Sequence, residues 1–263
     1  MKKHISLIGY GALSKLFLDI FRDKLSDHYV LNGIYTRHIP GDCTPHRFYT
    51  TMEQLLSDQP DLVIEFASVQ AIRDYGELVL RRGCSLVVVS IGALADDMLY
   101  RSLVQTAEQH NCKLHLASGA IGGFDILRTM ALAGVDDVEI ENNKAPGSLN
   151  GAPGLRGQTL PEDRPFVAFE GSAREVILAF PKNVNVAVAT ALAAADPDQT
   201  KVIINSIPGV RNSTHIIRAK NRLAKVSLNI ASVPDPSNPR SSTITAWSVA
   251  ALLQNLCSSV QFF

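Results

Sequence analysis

The sequence is poor in the features that make metal sites, disulfide frameworks and membrane spans. Its 263 residues include only four cysteines, and these lie far apart without a CxxC pair, so neither a zinc site nor a disulfide framework is expected. The seven histidines form no HExxH pattern, and we therefore expect no metal. No apolar run approaches the roughly 20 residues that cross a bilayer, so we also expect no membrane association.

The charge balance excludes a further class of partner. The 25 basic and 25 acidic residues cancel, and no basic cluster offers a footprint for nucleic acid, so small molecules are the expected partners. The apolar stretch behind Lys2 and Lys3 is interrupted by Gly9 and Gly11 and lacks a small-residue cleavage site. We expect a globular, cytoplasmic protein.

Strand-like and helix-like segments alternate up to Ser118. In order they are HISLIG, ALSKLFLDIFRDKL, YVLNGIYT, MEQLLSD, DLVIEFAS, VQAIRDYGELVLRRG, SLVVVSIG, DDMLYRSLVQTAEQHN and KLHLAS. This is the βαβ rhythm of an α/β fold, and runs such as LVVVS and LVIEFAS are apolar on both faces, as buried parallel strands are. The pattern predicts a Rossmann-type, doubly wound parallel sheet. Beyond Ser118 a glycine- and proline-rich loop and mixed segments predict a second domain of strands and helices.

The loop after the first strand resembles a dinucleotide-binding fingerprint. Gly9 permits a tight turn, Gly11 lets the backbone approach a pyrophosphate, and the helix that follows presents free N–H groups to the anion. We expect cofactor contacts from Gly9, Gly11, Ala12 and Leu13. Ser14 stands where the third glycine belongs, and the alternative is a strand-turn-helix connection without a ligand.

Small residues follow three of the strands, where open α/β sheets bind ligands. The three clusters are Phe66-Ala67-Ser68, Ser90 to Ala93 and Ala117 to Gly123. Ordinary turns are the alternative, but three clusters in succession favour a cofactor along the carboxyl edge of the sheet. Ser68 is the expected contact in the first cluster.

The residues after the second strand bear on the choice of cofactor. A loop specialised for NAD offers Asp or Glu to the ribose 2′-hydroxyl, whereas this chain has Thr36-Arg37-His38 and no carboxylate before Asp42. A guanidinium at Arg37 suits a 2′-phosphate. We therefore predict NAD or NADP as cofactor, with NADP used at least as well as NAD; the alternative is an Arg37 that points into solvent.

Two polar segments in the second half carry the remaining chemistry. In FPKNVNVA, Asn183 and Asn185 precede an apolar helix, and capping is the simple alternative for Asn183. In VRNSTHIIRA, His215 lies on a polar approach to an apolar strand. Its unperturbed pKa near 6.5 suits proton exchange around neutrality, although most histidines are packed or surface residues.

Several long segments resemble the L-aspartate dehydrogenase family. They are ASVQAIRDYGELVLRRGCSLVVVSIGALAD, SGAIGGFD, FEGSAREVILAFPKNVNVAVATALA, NSTHIIRA and NPRSSTITAWSVAALL, in this order. The resemblance implies a Rossmann domain over residues 1–119, completed by residues 241–263, and an inserted α/β (α+β) substrate and dimerisation domain over residues 120–240. It also implies a homodimer.

The resemblance assigns roles to individual residues. It makes His215 the catalytic histidine and Ala120 and Asn185 cofactor contacts, and Gly9 and Gly11 match its phosphate loop. The family has a glycine where this chain has Ser14, and a more glycine-rich stretch than RAKNRLAKV after the histidine.

The implied reaction is NAD(P)-dependent oxidation of L-aspartate to iminoaspartate, feeding NAD biosynthesis, with reductive amination of oxaloacetate by ammonia as its reverse. The two carboxylates of aspartate need cationic partners. The candidates are Lys182, Arg174 and Arg211, and the alternative for each is a solvated surface charge. A semialdehyde dehydrogenase, which needs a cysteine thiolate, and a non-catalytic NAD(P)(H)-sensing protein are the alternatives.

Overall fold

The structure is a computed structural model that describes residues 2–41, 45–181, 184–194, 197–235 and 238–262. The chain divides into two compact units, one of Met1–Ala117 with Thr245–Phe263 and the other of Ser118–Ile244. We call them unit 1 and unit 2. Among the residues described, no helix is both long and apolar enough to span a membrane.

Strands and helices alternate through most of unit 1, whereas their order in unit 2 is mixed. The strands are β1 (Lys3–Ile8), β2 (Tyr29–Tyr35), β3 (Phe48–Tyr49), β4 (Leu62–Glu65), β5 (Ser85–Val88), β6 (Leu114–Leu116), β7 (Asp137–Lys144), β8 (Phe166–Ser172), β9 (Thr200–Ser206), β10 (Ser213–Lys220), β11 (Lys225–Ser232), β12 (Pro234–Asp235) and β13 (Asn238–Ser242). The helices are α1 (Ala12–Lys24), α2 (Met52–Ser57), α3 (Val69–Arg81), α4 (Asp97–Gln109), α5 (Phe124–Leu132), α6 (Pro146–Leu149), α7 (Ala173–Ala179), α8 (Asn185–Ala194) and α9 (Ile244–Cys257).

Unit 1 is built on a six-stranded parallel sheet in the order β3-β2-β1-β4-β5-β6. This order reverses direction between β1 and β4, which is the switch point where doubly wound sheets bind ligands. The predicted Rossmann-type sheet is confirmed. Its core is completed by α9, whose Ala246, Val249 and Leu253 are buried among residues of β1, β2 and α1. The buried Tyr29 hydroxyl donates a hydrogen bond to the Leu253 carbonyl at 2.7 Å.

Side-chain caps fix where the helices begin. The Ser68 hydroxyl accepts a hydrogen bond from the Ala71 N–H at the start of α3, and the Asp96 carboxylate accepts two from the first turn of α4. Ser172 and Glu175 form a reciprocal capping box at the start of α7. Because such caps satisfy N–H groups that no helical carbonyl reaches, they set the helix boundaries locally.

Unit 2 contains a five-stranded mixed sheet in the order β11-β10-β7-β9-β8, in which β7 and β9 are parallel and the other pairs antiparallel. Alternate residues of β7, β9 and β10 are buried, and α8 packs against β7 and β9 on that side. The opposite face carries charges: Arg218 pairs with Glu139 and Glu141, and Lys201 pairs with Glu139 and Glu170. The sheet therefore has a covered face and a polar face, and the two differ in chemistry.

Ser14 shows how the chain tolerates the missing third glycine. Its side chain is fully buried in α1, and the hydroxyl has no hydrogen-bond partner among the described residues. Only a small side chain fits where the first helix of a Rossmann domain packs closely on its sheet. Serine meets that requirement of size, at the cost of burying a hydroxyl group without a partner.

Candidate active site

A groove of about 320 Å³ lies at the switch point of unit 1. Its lining comes from the residues that follow β1, β2 and β4 and from one side of α3: Ile8, Gly9, Tyr10, Gly11, Tyr35, Thr36, Arg37, His38, Phe66, Ala67, Ser68, Gln70, Ala71, Asp74 and Tyr75. Of the expected cofactor contacts in this unit, Gly9, Gly11, Arg37 and Ser68 are brought together here.

The two glycines of the loop have different physical reasons to be glycine. Gly9 has a φ of +99°, and a Cβ there would lie 2.8 Å from the Phe66 carbonyl oxygen, so both conformation and packing exclude a side chain. Gly11 has an ordinary extended backbone, and a Cβ there would meet nothing within 4 Å. Nothing in the protein fold requires glycine at position 11, whereas a pyrophosphate approaching the backbone would.

Helix α1 begins directly after a groove-lining residue, Gly11. Gly11 is the N-cap, and the first turn of the helix carries no acidic residue that would repel an anion. Ala12 and Leu13 begin the helix but are not among the groove-lining residues, and Leu13 packs against the core. As the first residues of the helix they present backbone N–H groups that no helical carbonyl reaches, and such groups are the kind that bind anions. The loop, the open space at Gly11 and this helix end together fit a dinucleotide phosphate.

The three clusters of small residues at strand ends differ in whether they line the groove. Phe66-Ala67-Ser68 lines the groove, with Ser68 exposed and capping α3. The second cluster does not line it: Ile91–Ala95 forms a 3₁₀ helix whose first four residues are buried, so the small residues there serve packing. The third cluster, Ala117 to Gly123, is not among the groove-lining residues either, so ligand contacts by the second and third clusters stay predictions.

The end of the groove beside β2 carries both signs of charge. Arg37 and Asp74 are exposed and line it, and Asp74 accepts a 2.7 Å hydrogen bond from the Gln70 amide. The Tyr35 and Tyr75 hydroxyls are 2.8 Å apart, and this hydrogen bond raises the pKa of Tyr75 to about 12. Sequence reasoning missed the α3 side of the groove. The available signal was the spacing of Gln70 and Asp74, which places both on one side of a helix.

A buried carboxylate joins the ends of β4 and β5. Glu65 is fully buried and accepts hydrogen bonds from the Ala67 N–H at 2.7 Å and from the Ser90 N–H and hydroxyl, each at 2.8 Å. Burial raises the pKa of the Glu65 carboxyl, and the donors oppose that shift. The interpretation of LVIEFAS as apolar on both faces is therefore wrong at this position. Glu65 ties the groove-lining Ala67 to the next strand.

In unit 2, His215 lies inside β10 on the covered face of the sheet. It is 3% exposed, and its Nδ1 lies 2.7 Å from Oδ1 of Asn142, its partner on the neighbouring β7. The description of His215 as part of a polar approach to a strand is wrong, because Thr214 and His215 already belong to the ladder. Sequence reasoning also missed Asn142, which is 73 residues away in sequence.

The environment of His215 changes the chemistry expected of it. Burial, and secondarily the charge of Lys144, lowers the pKa of His215 to about 3, so the imidazole is neutral at physiological pH. The expectation of an unperturbed pKa near 6.5 is wrong for the protein without a ligand. Since Oδ1 of Asn142 accepts, the hydrogen is assigned to Nδ1, and Nε2 keeps its lone pair.

The other residues named from the sequence take varied positions in unit 2. Ala120 lies half-buried in the turn before α5, and Asn185 is exposed at the start of α8. Arg174 is paired with Asp198, and Arg211 is exposed between β9 and β10. Lys182 and Asn183 lie outside the described residues.

Comparison with known proteins agrees with this arrangement. Residues 9–117 match the NAD-binding domain of homoserine dehydrogenase, and residues 125–256 match the C-terminal domain of aspartate dehydrogenase. The L-aspartate dehydrogenase of Methanosarcina acetivorans is 36% identical over 224 residues, 83% of this chain and 81% of that protein. That of Serratia proteamaculans is 34% identical over 258 residues, 97% of each chain. The chain belongs to the L-aspartate dehydrogenase family.

Solved structures agree with the family and the fold. The crystal structure of aspartate dehydrogenase from Thermotoga maritima superposes with a TM-score of 0.81 at 25% identity and covers the whole of both chains. A hyperthermophilic archaeal homoserine dehydrogenase in complex with NADPH has a TM-score of 0.60 at 14% identity over 97% of each chain, a likeness of fold. Membership of this family makes the protein an oxidoreductase, and the predicted cofactor, NAD or NADP, is confirmed at that level.

We predict that Gly11→Val weakens cofactor binding by more than tenfold while changing the melting temperature little. A Cβ at this position meets no protein atom within 4 Å, and the valine side chain would occupy the space through which a pyrophosphate approaches the backbone. Fluorescence titration with NADPH and thermal melting measure the two effects. The matched control is Gly9→Val, which should destabilise the fold itself. Unchanged NADPH affinity in Gly11→Val would remove this loop from the cofactor site.

Proposed function

We propose that this protein oxidises L-aspartate to iminoaspartate with NAD⁺ or NADP⁺. The observation that carries the proposal is the buried His215–Asn142 pair, in a chain whose relatives are L-aspartate dehydrogenases. A neutral histidine with one nitrogen anchored and the other free is suited to an amine substrate.

The reaction requires one hydride and one proton to leave the substrate. NAD(P)⁺, when bound, supplies the redox chemistry by accepting the hydride from the α-carbon. The ammonium group must lose a proton first, because only a free amine has the lone pair that forms the C=N bond of the product. In this proposal Nε2 of His215 accepts a hydrogen bond, and then the proton, from that ammonium group.

The low pKa of His215 in the free protein is compatible with this role. The largest cause of the low pKa of His215 is burial, and the second is the Lys144 charge. A dicarboxylate substrate brings negative charge, which raises the pKa of a neighbouring imidazole. The histidine becomes a base where the substrate is present.

The proposal has consequences for the cell and for the assembly. Iminoaspartate would feed NAD biosynthesis, and reductive amination of oxaloacetate by ammonia would be the reverse reaction. We assign the dinucleotide to the domain of residues 1–119 and 241–263, and substrate chemistry and homodimer contacts to residues 120–240, in a cytoplasmic enzyme. The family resemblance supports these assignments.

Cysteine chemistry argues against the semialdehyde dehydrogenase alternative. Burial raises the pKa of Cys84 to about 11 and also raises the pKa of Cys112, so neither thiol is a thiolate at neutral pH. Cys257 is half-buried in the closing helix, and Cys43 lies outside the described residues.

An amino-acid panel tests the proposed activity. Purified protein with NAD⁺ or NADP⁺ should produce reduced cofactor with L-aspartate, and far less with L-asparagine, L-glutamate or L-alanine. Absorbance of the reduced nicotinamide measures the rate. Cofactor binding without turnover of any amino acid would favour the sensing protein instead.

We predict that His215→Ala lowers kcat with aspartate roughly a hundredfold or more, the usual scale for a positioned acid–base group. Cofactor affinity should stay within about threefold, because the groove residues belong to the other unit. A matched control is His115→Ala, which removes another strand histidine, on β6, and should retain turnover. Near-normal turnover in His215→Ala would end its catalytic assignment.

The charges in the groove decide the preference between the two cofactors. Arg37 offers a guanidinium to a 2′-phosphate, as the sequence suggests, whereas Asp74 offers the carboxylate that a ribose 2′-hydroxyl prefers and that repels a phosphate. Because the cation lies in the segment directly after β2, we propose that NADP⁺ is used at least as well as NAD⁺.

Two opposite substitutions test this preference. Arg37→Ala should lower kcat/KM for NADP⁺ roughly tenfold or more and leave NAD⁺ nearly unchanged, because only NADP⁺ carries the phosphate. Asp74→Asn should shift the ratio toward NADP⁺ by removing a repulsive charge. Steady-state kinetics with both cofactors measure the ratio. A strong parental preference for NAD⁺, or NADP⁺ kinetics indifferent to Arg37, would refute the proposal.

A further inference from the structure

Lys144, which no sequence motif indicated, lies next to the catalytic pair. It is the last residue of β7, two positions after Asn142, so both side chains project to the covered face of the sheet, where His215 also lies. His215 is the cross-strand partner of Asn142, and Lys144 is the next residue of β7 on that face, so the register of the two strands makes Lys144 and His215 neighbours. The ammonium group of Lys144 therefore lies on the same face of the sheet as His215 and Asn142, and not on the opposite face with the ion pairs.

The charge of Lys144 is not compensated by any residue that the structure describes. The ammonium group has no hydrogen bond or ion pair with any residue in the described part of the chain, whereas Lys201 and Arg218 on the opposite face each pair with two glutamates. The helix that covers β7, α8, has the sequence NVAVATALAA and contributes no charge. His215 is neutral and supplies no counter-charge.

Other polar groups near Lys144 also lack partners. Ser206 is the neighbour of Lys144 on β9, and its hydroxyl is buried without a hydrogen bond to any described residue. The Asn142 amide nitrogen is likewise buried and unpaired within the described chain. Buried polar atoms are normally satisfied, and exceptions cluster where a ligand or water completes them. Three unsatisfied donors at the ends of two adjacent strands indicate an anionic ligand.

We propose that Lys144 binds a carboxylate of a dicarboxylate substrate beside His215. The proposal rests on the proposed function for the identity of the substrate, but the anion site stands on the geometry alone. Burial lowers the pKa of Lys144 to about 8 in the free protein, so the group is mostly charged at neutral pH and gains a counter-charge when a carboxylate binds.

Succinate is the probe, because it has two carboxylates and no amine and therefore binds without turnover. Calorimetric titration of the NADP⁺-saturated protein at pH 7 should show roughly 10- to 100-fold weaker succinate binding in Lys144→Met, the scale of one charge-assisted hydrogen bond. Lys144→Arg should bind within about fivefold of the parent. The matched control is Lys220→Met, at the end of β10 on the opposite face, with unchanged binding expected.

The pH dependence separates a binding role from a structural one. In the parent, the succinate dissociation constant should rise as pH increases above about 8, because the ammonium loses its charge there. Lys144→Arg should abolish that rise, since a guanidinium stays charged. A purely structural lysine would not produce this pattern. Thermal melting checks that Lys144→Met remains folded.

Two outcomes overturn the proposal: equal succinate affinity in Lys144→Met and the parent, or the same pH dependence in Lys144→Arg and the parent. The proposed function fails separately, when the parent protein does not oxidise aspartate. In that case weakened succinate binding by Lys144→Met would still establish the anion site.

Discussion

One buried hydrogen bond, between Nδ1 of His215 and Oδ1 of Asn142, fixes the imidazole on which the proposed chemistry of unit 2 depends. It crosses from β10 to β7 at 2.7 Å, on the covered face of the sheet, where water does not compete. Without it Nδ1 of the buried imidazole would lack a hydrogen-bond partner, which is costly. With it the ring has a fixed orientation and one assigned tautomer, and the free nitrogen carries a lone pair. The proposed proton transfer depends on this constraint.

The predictable part of the fold is the part encoded locally. The turn at Gly9, the cap at Ser68 and the alternation of β1 to β6 with helices all depend on residues within a few positions of one another. Short-range sterics and helix capping decide them, and both can be read from a sequence. The Rossmann-type sheet and the tight turn at Gly9 are for this reason predictable from the sequence.

The missed part depends on contacts between residues distant in sequence. The pairing of His215 with Asn142 requires the register of an antiparallel ladder, and no local pattern specifies that register. The same holds for Glu65, whose donors lie on two neighbouring strand ends, and for Asp74, which reaches the groove from a helix. The position of His215 came from a family motif, but its burial and its pKa came only from the structure.

The pKa values of His215 and Lys144 are both lowered chiefly by burial, and a bound anion would raise both. Burial disfavours the charged forms of both His215 and Lys144, and their mutual repulsion adds to the shift of the histidine. A ligand with two carboxylates and one ammonium group has a net negative charge and opposes both effects at once, so in the proposed complex the lysine keeps its proton and the histidine becomes able to accept one. An amino acid with a single carboxylate is neutral overall with its ammonium group, and compensates less. Selection for an amino dicarboxylate and activation of the base would then follow from the same electrostatic change.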